Sequence, residues 1–161
     1  MSVCFKPIGT IHSPFKERKG MPIQGTLTST EGRVEIFAEY AEGLQDIEGF
    51  SHLILLYHFH QAKGFSLTAV PFLDDTPRGI FAIRGPRRPN PIGMTVVRLV
   101  ERKGRMLTVQ GVDMLDGTPL LDIKPYMQEI DAHQITASGW VGEKMGSIGP
   151  SKKADDRFSH K

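Results

Sequence analysis

The stretch Gly79-Ile80-Phe81-Ala82-Ile83-Arg84-Gly85-Pro86-Arg87-Arg88-Pro89-Asn90-Pro91-Ile92-Gly93, continued by Met94-Thr95-Val96-Val97-Arg98-Leu99-Val100, decides how the rest of the chain is read. β-forming residues lead up to Arg84, and a second β-forming run leaves Gly93. Between them stand Pro86, Pro89 and Pro91. Each fixes φ at about −65°, removes a backbone donor and biases the residue before it toward extended geometry. Gly85 and Gly93 bracket the loop, and glycine tolerates backbone angles that other residues avoid. The stretch cannot be helical. It predicts a stiff loop that presents Arg84, Arg87 and Arg88 between two strands.

Outward from this loop the chain reads as short strands. Phe5–His12 forms a first strand ended by Ser13-Pro14, and Arg33–Ala38 alternates well enough for a half-buried one. Ala41–Ile47 is expected as one short helix. His52–His60 is nearly continuous apolar sequence and is expected as a central strand buried on both faces. Leu67–Val70, Gly79–Ile83, Thr95–Glu101, Arg105–Val112 and Leu120–Pro125 complete the set. Asp113–Pro119 is a turn cluster in which Asp116-Gly117 supplies the left-handed position. No helical pattern exceeds about two turns and no repeat is evident. The fold class is therefore all-β, a single compact β-barrel with short helices in its connections. Residues 1–141 form that domain, and 142–161 a polar, flexible C-terminal tail.

With 161 residues, 39% hydrophobic and 24% charged, the chain suffices for one soluble domain with its own core. No apolar run reaches the roughly 20 residues of a membrane span. The N-terminus lacks a signal peptide's apolar centre, and Cys4 alone permits no internal disulfide. A cytoplasmic protein without membrane attachment is expected.

The net charge is only +2, but its distribution is uneven. From Arg78 to Arg105 the cations are Arg78, Arg84, Arg87, Arg88, Arg98, Arg102, Lys103 and Arg105, with Glu101 the only acid. Such a segment points either to a local anion-binding face or to an edge strand guarded by charge. The rigid loop favours binding for Arg84–Arg88.

The chemistry-bearing residues leave alternatives open. His52, His58 and His60 share one strand parity, and His58-Phe59-His60 has the spacing of a metal-binding pair. However, Gly64 and Phe65 stand where a cupin-type site needs a carboxylate. His60 with Gln61 reads either as a ligand-facing pair at a strand end or as structural. No nucleophile elbow, P-loop or dinucleotide fingerprint is present. Asp113 and Asp116 are a candidate carboxylate pair or simply turn residues, and Tyr126 is a candidate stacking or phenol group.

The run Phe81–Gly93, with Asp113–Tyr126, Ile8–Lys16 and Glu48–Leu53 leading into His60-Gln61, resembles the TrmO family, also called TsaA-like or VirR. The match extends in order over residues 5–127. The resemblance implies a homodimeric S-adenosylmethionine-dependent methyltransferase on a β-barrel, without a metal. It implies N6-methylation of N6-threonylcarbamoyladenosine in tRNA, beside the anticodon. By the same resemblance the cofactor is held by Gln24, Gly25, His60, Gln61, Arg84, Met94, Asp113, Met114, Leu115, Asp116 and Gly117. Asp113 and Tyr126 are catalytic candidates. Arg87, Arg88, Arg98, Arg102 and Lys103 are expected against tRNA phosphates. Longer family members carry a further C-terminal domain, and this chain stops soon after the barrel. The acceptor therefore stays open between tRNA, another RNA and a small molecule. A non-catalytic module binding S-adenosylmethionine or RNA is the competing class, and a cupin-like metalloenzyme is a third.

Overall fold

A computed structural model describes residues 1–147 and 153–155. The strands are β1 (Gly9–His12), β2 (Glu31–Ile36), β3 (His52–His58), β4 (Thr68–Ala69), β5 (Arg78–Gly79), β6 (Ile92–Lys103), β7 (Met106–Gln110) and β8 (Thr118–Pro125), followed by one α-helical turn, α1 (Gln128–Asp131). Six of these strands close into a barrel in the order β1-β2-β7-β6-β3-β8, while β4 and β5 pair separately. Every barrel pairing is antiparallel. Closure leaves none of these six strands with a bare edge, which a sheet of short strands would otherwise have to protect.

Alternation sets which face is inside. Ile11, Val34, Leu53, Leu55, Leu107, Val109 and Leu120 are fully buried within the barrel. β3 was expected to be buried on both faces, and it is not. Leu53, Leu55 and Tyr57 are buried, whereas Ile54, Leu56 and His58 are only half-buried and His52 is exposed. A closed antiparallel barrel has one interior, so the outer face of even its most apolar strand meets solvent or loops. β3 also ends at His58, so the parity shared by the three histidines stops before His60.

The Gly79–Ile83 strand is likewise replaced. After the two residues of β5 the chain turns into a 3-10 helix over Ile80–Ala82. Ile80 and Ile83 are buried while Phe81 is exposed, a three-residue spacing that suits a 3-10 turn better than a strand. The short helix expected at Ala41–Ile47 forms as two 3-10 segments, Ala38–Leu44 and Ile47–Gly49, separated by Asp46 at φ 65°. Gly139–Ser147 is also a 3-10 helix, so part of the expected flexible tail is structured. The remainder of that expectation, 148–152 and 156–161, lies outside the described residues.

Candidate active site

A cavity of about 290 Å³ opens at one end of the barrel, close to the lower limit of the usual size of a small-molecule site. Its walls come from separate parts of the chain: Met21–Gln24 before the second strand, Tyr57 at the end of β3 with Phe59–Gln61 beyond it, Arg84, Pro86 and Arg88 of the arginine loop, Ile92–Met94 at the start of β6, and Asp113–Leu115 after β7. Antiparallel pairing of β3 with β6 brings Tyr57 opposite Gly93 and His58 opposite Ile92, so these segments meet at one rim.

Asp113 is the hub. Its Oδ1 accepts from Thr95 Oγ1 at 2.6 Å and from the Tyr57 hydroxyl at 3.4 Å, and its Oδ2 accepts from the Gly25 N–H at 2.7 Å. Tyr57 Oη also lies 3.0 Å from Thr95 Oγ1. Burial pushes the Asp113 carboxyl up to about 6, opposed by the hydrogen bonds from Thr95, Gly25 and Tyr57. Burial, and then the Asp113 carboxylate, push the Tyr57 phenol well above its ordinary value. At neutral pH the site thus holds an ionised aspartate beside a phenol that keeps its proton.

Two glycines allow this closeness. A Cβ at Gly25 would sit 1.9 Å from the Gly111 carbonyl oxygen, so no other residue brings that amide to Asp113 without moving the loop. A Cβ at Gly93 would lie 2.2 Å from Tyr57 Cε2, so the ring packs directly on the β6 backbone. Phe59 holds the ring from the side, edge-on with centroids 5.5 Å apart.

Arg84 is exposed on the cavity wall and donates to Gln24 Oε1 at 3.1 Å. The proline-stiffened loop is tied from within, because Arg88 donates to the Ile83 carbonyl at 2.8 Å and to the Gly85 carbonyl at 3.3 Å. His60 enters the wall through a tight turn, its N–H bonded to the His58 carbonyl at 2.8 Å. Partial burial, then the neighbouring His58, pull its imidazole below the ordinary histidine range, which favours the neutral ring at pH 7.

Gln24, His60, Gln61, Arg84, Met94, Asp113, Met114 and Leu115 all line the one cavity, with the Gly25 amide bonded behind it. Asp116 and Gly117 do not line it. Asp116 accepts from the Ser13 N–H at 3.1 Å and pairs with Lys16, which turns it toward the first strand. Gly117, at φ 77°, donates to the Ile11 carbonyl and leads into β8. Tyr126 is remote from Asp113. Its N–H bonds the His52 carbonyl at the other end of β3, on the order of 17 Å along the strand from Tyr57.

The basic segment is likewise divided. Arg88 lines the cavity, and Arg87 lies next to it in the same loop. Arg98 pairs across with His52, toward the far end of the barrel, and approaches Gln110 at 3.5 Å. Farther along β6, Arg102 is held by Glu48 at 2.8 Å and the Leu44 carbonyl at 2.9 Å, and Lys103 by Glu101 at 3.0 Å. These three do not share a face with Arg84–Arg88. Among the described residues no cluster of three or more His, Cys, Asp or Glu is arranged to hold a metal.

Sequence reasoning missed Tyr57 and Thr95. The signal was available. Each is the hydroxyl-bearing member of an otherwise apolar, inward-facing set, with Leu53 and Leu55 in one strand and with Val97 in the other. Met21, Ile23 and Phe72 were also missed, and they sit in loops whose composition carries no such signal.

Residues 10–132 match the model of the tRNA-methyltransferase O N-terminal domain. The chain is 52% identical over 159 residues to a probable S-adenosyl-L-methionine-binding protein of Pyrococcus abyssi, covering 98% of this chain and 86% of that protein. It is 34% identical to the rat tRNA (adenine(37)-N6)-methyltransferase, over 91% of this chain but 36% of that enzyme. The crystal structure of TrmO from Pseudomonas aeruginosa superposes with a TM-score of 0.74 at 38% identity, covering 87% of this chain and 63% of that one. The chain thus spans about a third of the mammalian enzyme and under two thirds of the bacterial one. Matched over most of its barrel and over every wall of the cavity but residues 154–155, the chain belongs to the tRNA-methyltransferase O N-terminal domain family.

Proposed function

We propose that this chain is an S-adenosylmethionine-dependent methyltransferase acting on tRNA, at the N6 nitrogen of N6-threonylcarbamoyladenosine beside the anticodon. The observation that carries the reading is the convergence of Gln24, His60, Gln61, Arg84, Met94 and Asp113–Leu115 on one cavity. The donor set fits the cofactor. Met21, Ile23, Phe59, Phe72 and Met114 offer apolar walls to an adenine and a thioether-like chain. Gln24 and Gln61 offer amides to ribose and base, and Arg84 a fork for a carboxylate. When bound, S-adenosylmethionine supplies a methyl group already activated on a sulfonium, so transfer is an in-line displacement governed by positioning.

The protein's part follows from its own groups. Arg84 is oriented by Gln24 toward the cavity, and Arg88 keeps the loop that carries it in shape. Asp113, ionised at neutral pH, puts a negative charge beside a cationic ligand while bracing Gly25, Tyr57 and Thr95. Neutral His60 adds no repulsion. Arg87, beside Arg88 in the same loop, is the cation we assign to phosphates of the acceptor, since Arg88 is engaged by the Ile83 and Gly85 carbonyls. A homodimer belongs to the same proposal, because Phe65, Leu67 and Phe81 are 57%, 63% and 77% exposed in the segments flanking the arginine loop. A cytoplasmic location goes with the tRNA acceptor, and no helix among the described residues is long and apolar enough to cross a membrane.

Incubation with methyl-labelled S-adenosylmethionine and unfractionated tRNA, followed by nucleoside analysis, tests the reading. Label on threonylcarbamoyladenosine supports it. Donor binding without label on any nucleoside favours the competing reading, a donor-binding module, which the name of the Pyrococcus abyssi relative also describes.

A further inference from the structure

Thr95 faces the barrel interior between Gly93 and Val97 on β6 and is only 5% exposed. A buried hydroxyl has to find partners. This one has two, Asp113 Oδ1 at 2.6 Å and Tyr57 Oη at 3.0 Å. A threonine hydroxyl carries a single proton, and the shorter contact places it on the carboxylate. Tyr57 must then be the donor in the longer contact, with a weaker reach to Asp113 Oδ1 at 3.4 Å. The phenol has the proton to give, because burial and then Asp113 push its ionisation far up. The three side chains thus form a relay with one direction, from Tyr57 through Thr95 to Asp113. On the other carboxylate oxygen the Gly25 N–H closes at 2.7 Å. Each of these donors favours the ionised carboxylate, and burial opposes them all.

The other charged and titratable groups around the cavity are Arg84, beside Gln24, with Arg18, Arg88 and His60. Among the described residues Asp113 and Asp155 are the carboxylates on the wall, and Asp113 is the one set against the barrel strands. A sulfonium donor and its demethylated product share their adenosine and amino-acid parts. They differ by one methyl group and one positive charge. A carboxylate in the wall separates the two ligands by charge only while it is ionised.

We propose that Thr95 is a positioning residue that keeps Asp113 ionised, so that the cavity holds the sulfonium donor more tightly than the neutral thioether product and favours the product's release. The inference rests on the proposed function for the identity of the donor, and it adds what tells that donor from the spent one. Binding of a proton to Asp113 competes with binding of a cation, so donor affinity falls as pH drops through about 6, whereas product affinity does not follow it. Removing the Thr95 hydroxyl leaves burial with less opposition and moves that fall to higher pH.

Calorimetric titration with S-adenosylmethionine and with S-adenosylhomocysteine, from about pH 5 to about pH 8, tests this in the full chain and in Thr95→Val, Thr95→Ser and Asp113→Asn. The unchanged chain is expected to prefer the donor about tenfold or more at the upper end, with the ratio shrinking toward the lower end. In Thr95→Val the same loss is expected about one pH unit higher, the effect of removing one hydrogen bond to a charged group. Thr95→Ser keeps the hydroxyl and should follow the unchanged chain. Asp113→Asn should show a ratio near one throughout. Product affinity within about threefold across the set shows that the cavity is intact, and Thr95→Ala is the second hydroxyl-free variant should valine not fold. A hydroxyl-free variant with the unchanged profile, a preference that survives in Asp113→Asn, or an equal loss of both affinities would overturn the inference while leaving the donor site standing. A full chain that binds neither ligand would overturn both readings.

Discussion

Replacing Asp113 with asparagine is expected to stabilise the barrel near neutral pH while weakening the donor site. In the folded chain burial lifts this carboxyl from 3.8 to about 6. The native state then holds its proton to higher pH than the unfolded chain does. Between about pH 4 and 6 the folded form binds more protons, so stability falls as pH rises through that window and levels off above it. A shift of this size corresponds to about 3 kcal/mol at full development, of which about 2 kcal/mol or more falls between pH 4 and 8. Asparagine removes the titration yet stays satisfied. Its oxygen takes the Gly25 N–H, and its amide faces Thr95 Oγ1 and Tyr57 Oη, both of which can accept. Urea unfolding of both proteins at several pH values from 4 to 8 measures the difference directly. Taking the difference cancels carboxylates that titrate the other way, such as Asp116, whose carboxyl Lys16 holds below its ordinary value. The stability gap should open in favour of asparagine as pH rises. Parallel stability curves would show that the Asp113 carboxyl is not held up by burial.

Arg84→Ala should cost donor affinity on the order of 1.5–3 kcal/mol by calorimetry, the range for a charged hydrogen bond; an unchanged Kd would remove Arg84 from the donor site. Arg88→Ala should also weaken donor binding, because it frees the Ile83 and Gly85 carbonyls that shape the loop, whereas Arg87→Ala should mainly flatten the salt dependence of tRNA binding. If both arginines change only the salt slope, the loop does not need its internal ties. Gly25→Ala, whose Cβ would meet the Gly111 carbonyl at 1.9 Å, should shift the loop and lower donor affinity at least tenfold; unaltered binding would mean that Gly25 does not hold Asp113. Arg102→Ala should lower the melting temperature by a few degrees without altering tRNA affinity, since its guanidinium is engaged by Glu48 and the Leu44 carbonyl; a loss of tRNA affinity would restore it to the interface.

What could be read from the sequence depended on whether the signal was local. The alternation of Arg33–Ala38 and Arg105–Val112 marks strands because each residue's burial follows from its neighbours two positions away, and both form, with slightly different ends. The stretch Ile80–Ile83 misled because its composition suits a strand, while the need to bury Ile80 and Ile83 together is a tertiary demand. The basic run from Arg78 to Arg105 looked like one surface because charge was counted along the chain. A strand as long as β6 carries Arg102 on the order of 26 Å from Met94, so neighbours in sequence became opposite ends in space. Asp113 and Arg84 were legible through the resemblance. Their partners Thr95 and Tyr57 depend on strand register, which no single segment states.

Trp140 is the chain's sole tryptophan, and its indole sits on the carbonyl of Ala82 under the Arg78 cation. Tryptophan emission from this protein therefore comes from one address, at the start of the Gly139–Ser147 helix. Detachment of that helix from Ala82 exposes the indole to water and shifts the emission to the red. The molecule carries its own optical reporter, readable without a dye or an engineered label.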